Sequence, residues 1–201
     1  MLSDGLGKKR INRLFCRHIP LCKFSIPTEF PIFGPMSVSA YSPNIEELKP
    51  WFDRVSALSL ENVASGKGGP FAAVIIRNNE LVAEGCNEVL GSGDPTAHAE
   101  VTAIRKACKA LNSFQLDDCI LISSCEPCPM CLGAIYWARP LKVYYLNTRE
   151  DAAAIGFDDQ FIYDEISMAG NSRKIPFLQH SYPPAQEAFS AWAKKADKTP
   201  Y

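Results

Sequence analysis

From about residue 49 to residue 146, the sequence alternates between short apolar segments and longer segments with helical periodicity. The short segments are typical of buried strands, and the longer ones place apolar residues three or four positions apart. A chain that alternates in this way folds as an α/β protein, with helices covering both faces of a sheet. The sequence therefore predicts a three-layer α/β/α sandwich with a mixed, mainly parallel sheet.

The pattern also sets the approximate limits of each element. The predicted helices begin near Lys49 and end at Gly66, and then cover residues 98–111, 129–138 and 186–195. The predicted strands cover residues 71–76, 81–84, 119–123 and 142–146, with a further short strand near residues 177–179. Pro50 is expected in the first turn of the first helix, where a proline loses no hydrogen bond. Asn78 and Asn79 are expected to form the turn between the first two strands.

The first 44 residues differ in composition from the rest of the chain. Residues 1–40 carry six bases and two acids, a charge of +4, whereas residues 41–201 carry fifteen bases and twenty acids, a charge of −5. A basic segment poor in acids is one form of targeting leader. Its weak amphipathic order instead favours a disordered tail, or a non-native start with Met36 as the true initiator. We therefore expect residues 1–44 to be an N-terminal extension and residues 45–201 to form one domain.

The composition argues against several classes of protein. No run of eighteen apolar residues is present, so no transmembrane helix is expected. The net charge is 21 − 22 = −1, which is not the broad basic footprint of a nucleic-acid-binding protein. Three of the eight cysteines are crowded into residues 125–131, and no secretory signal is evident. This placement favours a metal site in a reducing, cytoplasmic compartment over a disulfide framework.

Two short motifs supply residues that bind metals and move protons. His98 and Glu100 flank Ala99 at the start of one predicted helix, and Cys128 and Cys131 lie three residues apart at the start of the next. Residues three apart on a helix share a face, and a helix N-terminus favours thiolate over thiol. Zinc prefers four ligands in a tetrahedron, so two thiolates and one imidazole leave one position for water.

An open position of this kind is typical of catalytic zinc sites. Zinc lowers the pKa of a bound water from about 16 to about 7, which makes hydroxide available at neutral pH. Glu100 is two residues past His98, so it can lie beside the ion without binding it and carry a proton from the water to a leaving amine. The pair of motifs, His-x-Glu followed by Pro-Cys-x-x-Cys from Pro127, resembles the signature of zinc deaminases.

Two other interpretations of the cysteines stay open. Cys128 and Cys131 can form a redox pair, as in thioredoxin-like proteins, although this leaves His98 and Glu100 without a role. Alternatively, Cys125 can be the fourth ligand of a structural zinc in a binding module. The second alternative predicts four protein ligands and no turnover.

The residues around the two motifs resemble the cytidine deaminase superfamily and, within it, the bacterial guanine deaminases. The resemblance runs from about residue 50 to residue 201. It rests on residues 69–71, 94–100, 115–119, 124–131 and 155–159 and on a terminal helix followed by a final tyrosine. It implies a cytidine-deaminase-like fold and the hydrolysis of guanine to xanthine and ammonia in purine salvage or catabolism. A zinc-activated hydroxide would attack the ring, with one Zn²⁺ per subunit.

The resemblance also implies roles for individual residues. The zinc ligands would be His98, Cys128 and Cys131, and Glu100 would protonate a ring nitrogen and carry a proton to the amine. Asp159 would be a second carboxylate that reads the edge of the substrate, although the pattern does not decide between Asp158 and Asp159. The substrate contacts implied are Asn87, Phe71, Ala99, Asp159 and Tyr201. The family further implies a homodimer whose last segments exchange, so that each final tyrosine closes the partner's pocket.

Related activities on the same core stay open as alternatives. A tRNA adenosine deaminase shares both motifs, but it has to hold a polyanion, which the −5 charge of residues 41–201 disfavours. A guanosine deaminase would differ mainly in the space for a ribose, which the sequence does not measure. A pyrimidine deaminase is disfavoured by the Gly-Phe-Asp-Asp segment at residues 156–159 and by the terminal tyrosine.

Overall fold

The computed structural model describes residues 42–199. The helices are α1 (Ile45–Ser65), α2 (Val89–Ser92), α3 (Ala99–Leu111), α4 (Pro129–Ala138), α5 (Arg149–Ala154), α6 (Gln160–Ser167) and α7 (Gln186–Lys194). The strands are β1 (Ala72–Arg77), β2 (Glu80–Cys86), β3 (Ile120–Cys125) and β4 (Lys142–Asn147), and two 3-10 turns cover Gly170–Ser172 and Pro183–Ala185. The predictions for residues 1–41 and for Tyr201 lie outside the described residues.

The four strands form one mixed sheet in the order β2-β1-β3-β4. The α/β class is therefore confirmed, but the prediction of a mainly parallel sheet is wrong. β1 is antiparallel to both of its neighbours, and only β3 and β4 are parallel. The reason is that the connection through α3 passes over β1, so β2 and β3 run in the same direction without being paired.

The first two strands form a hairpin whose turn residues agree with the prediction. Asn78 and Asn79 both have positive φ angles, 51° and 61°. A two-residue turn with positive φ at both positions matches the twist of a hairpin, and asparagine tolerates this conformation better than most residues. The turn is also attached to α1, because Nε1 of Trp51 donates a 2.8 Å hydrogen bond to Oδ1 of Asn79.

The core consists of two layers, one on each face of the sheet. Because strand residues alternate between faces, Val74 of β1 packs with α1 whereas Ile75 packs with α3 and α4. The α1 layer contains Leu48, Val55, Leu58, Ala72, Val74, Ile76, Ile120 and Ile122. The opposite layer contains Ala73, Ile75, Ala83, Ala99, Ala103, Ala107, Leu116, Cys119, Leu121, Ile135 and Ala138. The predicted three-layer arrangement is thus present.

Two details of the predicted elements are wrong. Helix α1 begins at Ile45, so Pro50 lies inside the helix and not in its first turn. The earlier start comes from a capping box, in which the Asn44 side chain accepts from the backbone of Glu47 and the Glu47 carboxylate accepts from Asn44. No strand forms at residues 177–179 in the described part of the chain. Instead, the backbone of Phe177 is bonded to Gly170 at 2.9 Å.

Membrane insertion has no support in the helices. Across residues 42–199, none combines the length and the apolar character that a bilayer crossing needs.

Candidate active site

The N-termini of α3 and α4 carry the two sequence motifs, and the fold brings them together. His98 is the N-cap of α3 and Cys128 is the N-cap of α4. Pro129 occupies the first turn of α4, where a proline loses no hydrogen bond. Helix α3 can lie close to β2 because of Gly85, where a Cβ would come within 2.3 Å of the carbonyl oxygen of Ala99. Any larger residue at this position would displace the start of α3, and His98 with it.

The loop before α3 is shaped by its own side chains. The Asp94 carboxylate accepts hydrogen bonds from the backbone N–H and the hydroxyl of Thr96, at 2.8 and 2.7 Å. These bonds form an Asx turn. The turn is continued by the backbone bond from His98 to the carbonyl oxygen of Thr96, at 2.8 Å. The position of His98 is therefore set by local hydrogen bonds as well as by the packing of α3.

Three side chains form a cluster that can hold one metal ion. Within residues 42–199, His98, Cys128 and Cys131 place their ligand atoms within 4.8 Å of one another. Both sulfurs lie 3.5 Å from Nδ1 of His98. In a tetrahedral zinc site with ordinary bond lengths, nitrogen and sulfur ligands are about 3.6 Å apart. The donor set and its spacing therefore fit zinc.

The two thiols do not ionise alike. Hydrogen bonding from Cys131, together with His98, lowers the pKa of Cys128 to about 4. The pKa of Cys131 is raised in return, because its proton bonds the Cys128 sulfur and because its surroundings are buried. The pKa of His98 is raised, chiefly by its contact with Cys128. The cluster thus favours negative charge on the Cys128 sulfur, and thiolate is the form of cysteine that binds a metal.

Cys125 is not a member of this cluster. Its Sγ donates to the carbonyl oxygen of Thr148 at 3.3 Å. Burial raises the pKa of its thiol to about 11, so it stays protonated at neutral pH. In the described residues the alternative of a structural zinc site with Cys125 as fourth ligand therefore has no geometric support.

Glu100 lies beside the metal-binding cluster and is buried, with 6% of its surface exposed. Its Oε1 accepts a 3.1 Å hydrogen bond from the hydroxyl of Ser123 on β3. Burial raises the pKa of its carboxyl group above the ordinary value. A raised pKa makes a carboxylate a better base and lets it hold a proton closer to neutral pH.

The cluster and Glu100 lie in the wall of a cavity of about 610 Å³. This volume is in the range of sites for small molecules, about 300–1,000 Å³. Of the residues that the sequence predicted at the substrate, Phe71, Asn87, Ala99 and Asp159 all line the cavity. Tyr201 lies outside the described residues. The cavity therefore brings together every predicted contact residue that the structure describes.

Asn87 presents one particular end of its amide to the cavity. Its Oδ1 accepts two long hydrogen bonds, from the backbone N–H groups of Gly69 at 3.4 Å and of Val89 at 3.3 Å. An oxygen that faces two N–H donors identifies the other end of the amide as nitrogen. In residues 42–199 no acceptor is bonded to that nitrogen, so Asn87 offers a donor to a bound molecule.

The structure distinguishes the two aspartates that the sequence left open. Asp158 is exposed, and its Oδ1 accepts from the backbone N–H of Gln160 at 2.9 Å, at the start of α6. Asp159 is half-buried, and the pKa of its carboxyl group is raised by burial and by the nearby Cys128 sulfur. Both aspartates line the cavity, and Asp159 is the more buried of the two and the one whose carboxyl group interacts with the Cys128 sulfur.

An aromatic pair forms one wall of the cavity. The rings of Phe71 and Phe157 are 4.9 Å apart and nearly perpendicular, at 88°. Phe71 also packs against the core layer beneath α3, so it serves both the core and the cavity. The aliphatic part of the wall comes from Val89, Leu90, Pro95, Ala152 and Ile162. A flat, largely apolar ring fits between such surfaces.

Several residues at this site were not found from the sequence. Ser123 lies within a strand that is buried throughout, and a hydroxyl in such a strand was the available signal. Asn62 lies on the buried face of α1, where a polar residue is equally unusual. Arg149 and Glu126 line the cavity, and the backbone N–H of Arg149 donates to Glu126 at 3.4 Å. Arg149 carried no signal, because it follows a strand as an ordinary surface charge would. Glu126 lies in the segment 124–131 that carries the resemblance, but no role was predicted for it.

Comparison with known proteins agrees with this site. Residues 47–147 match the model of the cytidine and deoxycytidylate deaminase zinc-binding region. The chain is 57% identical over 148 residues to the guanine deaminase of Bacillus subtilis strain 168, covering 74% of this chain and 95% of that protein. It is 35% identical over 128 residues to a tRNA-specific adenosine deaminase of Aquifex aeolicus, covering 63% of this chain and 81% of that protein.

A solved structure shares the fold. The X-ray structure of guanine deaminase from Bacillus subtilis superposes with a TM-score of 0.75 at 54% identity, covering 79% of this chain and 99% of that one. The resemblance predicted from the two motifs is confirmed, because the matched family region contains His98, Glu100, Cys128 and Cys131. The chain belongs to the cytidine and deoxycytidylate deaminase family, whose shared region binds zinc.

Proposed function

We propose that the protein hydrolyses guanine to xanthine and ammonia. The observation that carries this proposal is a buried carboxylate, Glu100, beside three metal-binding side chains in the wall of a cavity suited to a small molecule. The relative that is 57% identical over most of its length is a guanine deaminase, which supports the choice of substrate.

Different residues would bind the metal and transfer the protons. His98, Cys128 and Cys131 would hold zinc, which supplies a Lewis acid that lowers the pKa of water. Glu100 takes the proton from the attacking water and gives it to a ring nitrogen of the base. It then carries a second proton to the amino group at C2, which leaves as ammonia. One water is consumed, and the C2–N bond is exchanged for a C2–O bond.

The polar groups of the cavity complement the edges of guanine. Asn87 offers an N–H donor, which suits an acceptor such as a ring nitrogen or the carbonyl oxygen of the base. Asp159 offers a carboxylate, which accepts hydrogen bonds. It therefore suits an edge of the base that carries N–H donors. Phe71 and Ala99 line the cavity and offer apolar surface to the ring.

A free base suits this protein better than a tRNA. Residues 41–201 carry a charge of −5, whereas an enzyme that holds a polyanion needs a clustered basic surface. The tRNA-specific relative covers less of the chain and is less identical to it than the guanine deaminase.

We further propose a homodimer in which the C-terminal segments exchange. Helices α6 and α7 contain no buried residue, and large apolar side chains such as Phe189 and Trp192 are exposed. An apolar surface of this kind indicates a partner. In this arrangement Tyr201 closes the cavity of the other subunit. Size-exclusion chromatography with light scattering tests the dimer, and a chain truncated after residue 169 should then be monomeric.

The proposal also covers the limits of the deaminase domain and the cellular compartment of the protein. Residues 45–201 would form the deaminase domain, and residues 1–44 an extension that the chemistry does not need. We place the protein in the cytoplasm, because the crowding of three cysteines into residues 125–131 is typical of a metal site in a reducing compartment.

The decisive experiment measures ammonia release from guanine, guanosine, adenine, cytosine and an adenosine-containing tRNA by the purified zinc-loaded protein. Guanine should be the preferred substrate, with xanthine as the product. Preference for guanosine would show that the cavity accepts a ribose and would replace the proposed substrate. Release of ammonia only from adenosine in tRNA would overturn the proposal in favour of the other enzymatic alternative.

A further inference from the structure

We propose that Asn62 is a positioning residue, which holds Asn87 and the loop before β1 in the conformation that binds the base. This proposal rests on the proposed function, since it concerns the same cavity. Asn62 lies in the last turns of α1. This helix packs on the face of the sheet opposite to α3 and α4, which carry the metal-binding cluster. Asn62 touches neither the cavity nor the cluster, so it acts only through the residues that it bonds.

One amide group bonds two separate segments of the chain. Nδ2 of Asn62 donates to the carbonyl oxygen of Gly69 at 2.8 Å and to the carbonyl oxygen of Asn87 at 2.9 Å. An amide nitrogen has two hydrogens, so both are used. The side chain is buried, with 5% exposed, so water does not readily replace these bonds. Asn62 therefore joins the start of β1 to the end of β2 at the edge of the cavity.

The two segments are also bonded directly to each other. The backbone N–H of Asn87 donates to the carbonyl oxygen of Phe71 at 3.0 Å, which extends the hairpin by one step. The N–H of Gly69 donates to Oδ1 of Asn87 at 3.4 Å. The orientation of the Asn87 amide therefore depends on where Gly69 lies, and Asn62 fixes Gly69 and Asn87 together.

The packing at this point leaves no room for a different arrangement. A Cβ at Gly68 would lie 2.1 Å from the carbonyl oxygen of Asn87 and 2.4 Å from its Oδ1. The segments around Gly68 and Asn87 are thus packed so closely that no side chain fits between them. If Asn62 is lost, the buried carbonyl oxygen of Asn87 loses this donor, and the carbonyl oxygen of Gly69 keeps only its 2.8 Å bond from the N–H of Phe71. The two segments are then no longer held together by a shared donor and can shift to satisfy the Asn87 carbonyl. Such a movement would turn the Asn87 amide away from its present direction.

The reacting groups are held by other elements. Glu100 is bonded by Ser123 of β3, and the metal-binding cluster is built on the N-termini of α3 and α4. Loss of Asn62 should therefore weaken binding of the base far more than it slows the chemical step. This separation distinguishes a positioning role from a general loss of structure.

The test compares Asn62→Leu and Asn62→Asp with a matched control on the same helix. Leucine has nearly the same size but no donor, and aspartate has the same shape with acceptors in place of the donor. The control is Val55→Ala, which removes buried apolar surface from the same face of α1 without a polar contact to the cavity. Steady-state kcat and KM for guanine, zinc content and Tm are measured for each protein.

Both Asn62 variants should raise KM by about tenfold and change kcat by less than about threefold, with zinc retained. Val55→Ala should lose a similar amount of thermal stability and keep the KM of the parent. In an Asn87→Ala background, Asn62→Leu should no longer raise KM, because the amide that it positions is gone. If neither variant folds, Asn62→Ser, which is smaller and keeps one hydrogen-bond donor, provides the same comparison.

Three outcomes would overturn the role of Asn62. The KM of its variants stays that of the parent, the KM of Val55→Ala rises equally, or the effects of Asn62→Leu and Asn87→Ala are additive. A parent protein without activity on any base would overturn the proposed function instead. If the parent prefers another base, the same comparison is made with that base.

Discussion

The hydroxyl of Ser123 donates a 3.1 Å hydrogen bond to Oε1 of Glu100, and both side chains are buried. Ser123 lies on β3, in the middle of the sheet, whereas Glu100 lies in the first turn of α3. The bond therefore ties the carboxylate that we propose as the proton carrier to a central strand of the sheet. One carboxylate oxygen is fixed by this bond, which sets the direction of the other.

Removing this hydroxyl should slow the reaction without removing the metal. We expect Ser123→Ala to lower kcat by about tenfold, because Glu100 loses the contact that orients it. Ser124→Ala is a matched control, since Ser124 is equally buried but its Oγ accepts from the backbone N–H of Ala72 at 3.0 Å. The control should lower Tm while kcat stays within about twofold. Equal losses of kcat in the two variants would contradict the orienting role.

The carboxylate itself should be essential for turnover but not for zinc. We expect Glu100→Gln to lower kcat by about 10²–10⁴-fold, because an amide cannot accept and return a proton. Its zinc content, measured by mass spectrometry, should stay at one ion per chain. Cys131→Ser is the comparison, because it removes a ligand at a fully buried position and should lose zinc and activity together. Zinc loss from Glu100→Gln equal to that of Cys131→Ser would favour the non-catalytic binding module.

The two neighbouring aspartates should differ strongly in their effect. We expect Asp159→Asn to lower kcat/KM by about a hundredfold, because the half-buried carboxylate that interacts with the Cys128 sulfur is lost. Asp158→Asn should change kcat/KM by no more than about threefold, because asparagine can still accept from the N–H of Gln160. The measurement is steady-state kinetics with guanine. The reverse ranking would place Asp158 at the substrate.

The elements of the fold could be predicted from the sequence more reliably than their pairing. Periodicity identifies an apolar strand such as β3, because burial on both faces requires an apolar run. It does not identify the neighbours of that strand. The connection through α3 passes over β1, and this depends on how helix and hairpin pack together and not on any local residue pattern. The start of α1 was missed for a different reason, since its capping box begins at Asn44, in a region that proline made look irregular.

The residues of the site also divide into those that the sequence predicts and those that it does not. His98, Glu100 and the two cysteines could be found because metal chemistry requires particular residues at particular spacings. Ser123 and Asn62 instead make hydrogen bonds across the fold, to Glu100 and Asn87, which are 23 and 25 positions away in sequence. Such contacts leave no periodic trace. A polar residue in a buried segment marks the position, but the partner is known only once the chain has folded.

The ion pair between Arg54 on α1 and Glu84 on β2 makes stability depend on pH in a definite direction. Nε and Nη2 of Arg54 donate to the two carboxylate oxygens at 2.6 and 2.8 Å. The bond from Arg54 lowers the pKa of Glu84 below its ordinary value of 4.5. A carboxyl whose pKa is lowered by folding stabilises the fold at pH values above 4.5, and that stability is lost as the pH falls through the lowered folded value.

We therefore expect Glu84→Gln to lower the free energy of unfolding by about 1 kcal/mol at pH 7, a modest figure because Arg54 is partly exposed to solvent. The difference from the parent should be the same at pH 6 and should shrink progressively below about pH 4.5, as Glu84 is protonated first in the unfolded state and then, at lower pH, in the folded state. Urea unfolding followed by tryptophan fluorescence measures this, with parent and variant compared at each pH so that any acid release of metal cancels.

Glu61→Gln is the control, because Glu61 contacts the same guanidinium at 3.4 Å but is far more exposed. It should change stability by less than about 0.5 kcal/mol. A deficit of Glu84→Gln that persists undiminished at pH 3 would mean that the carboxylate's charge is not what stabilises the contact between α1 and β2.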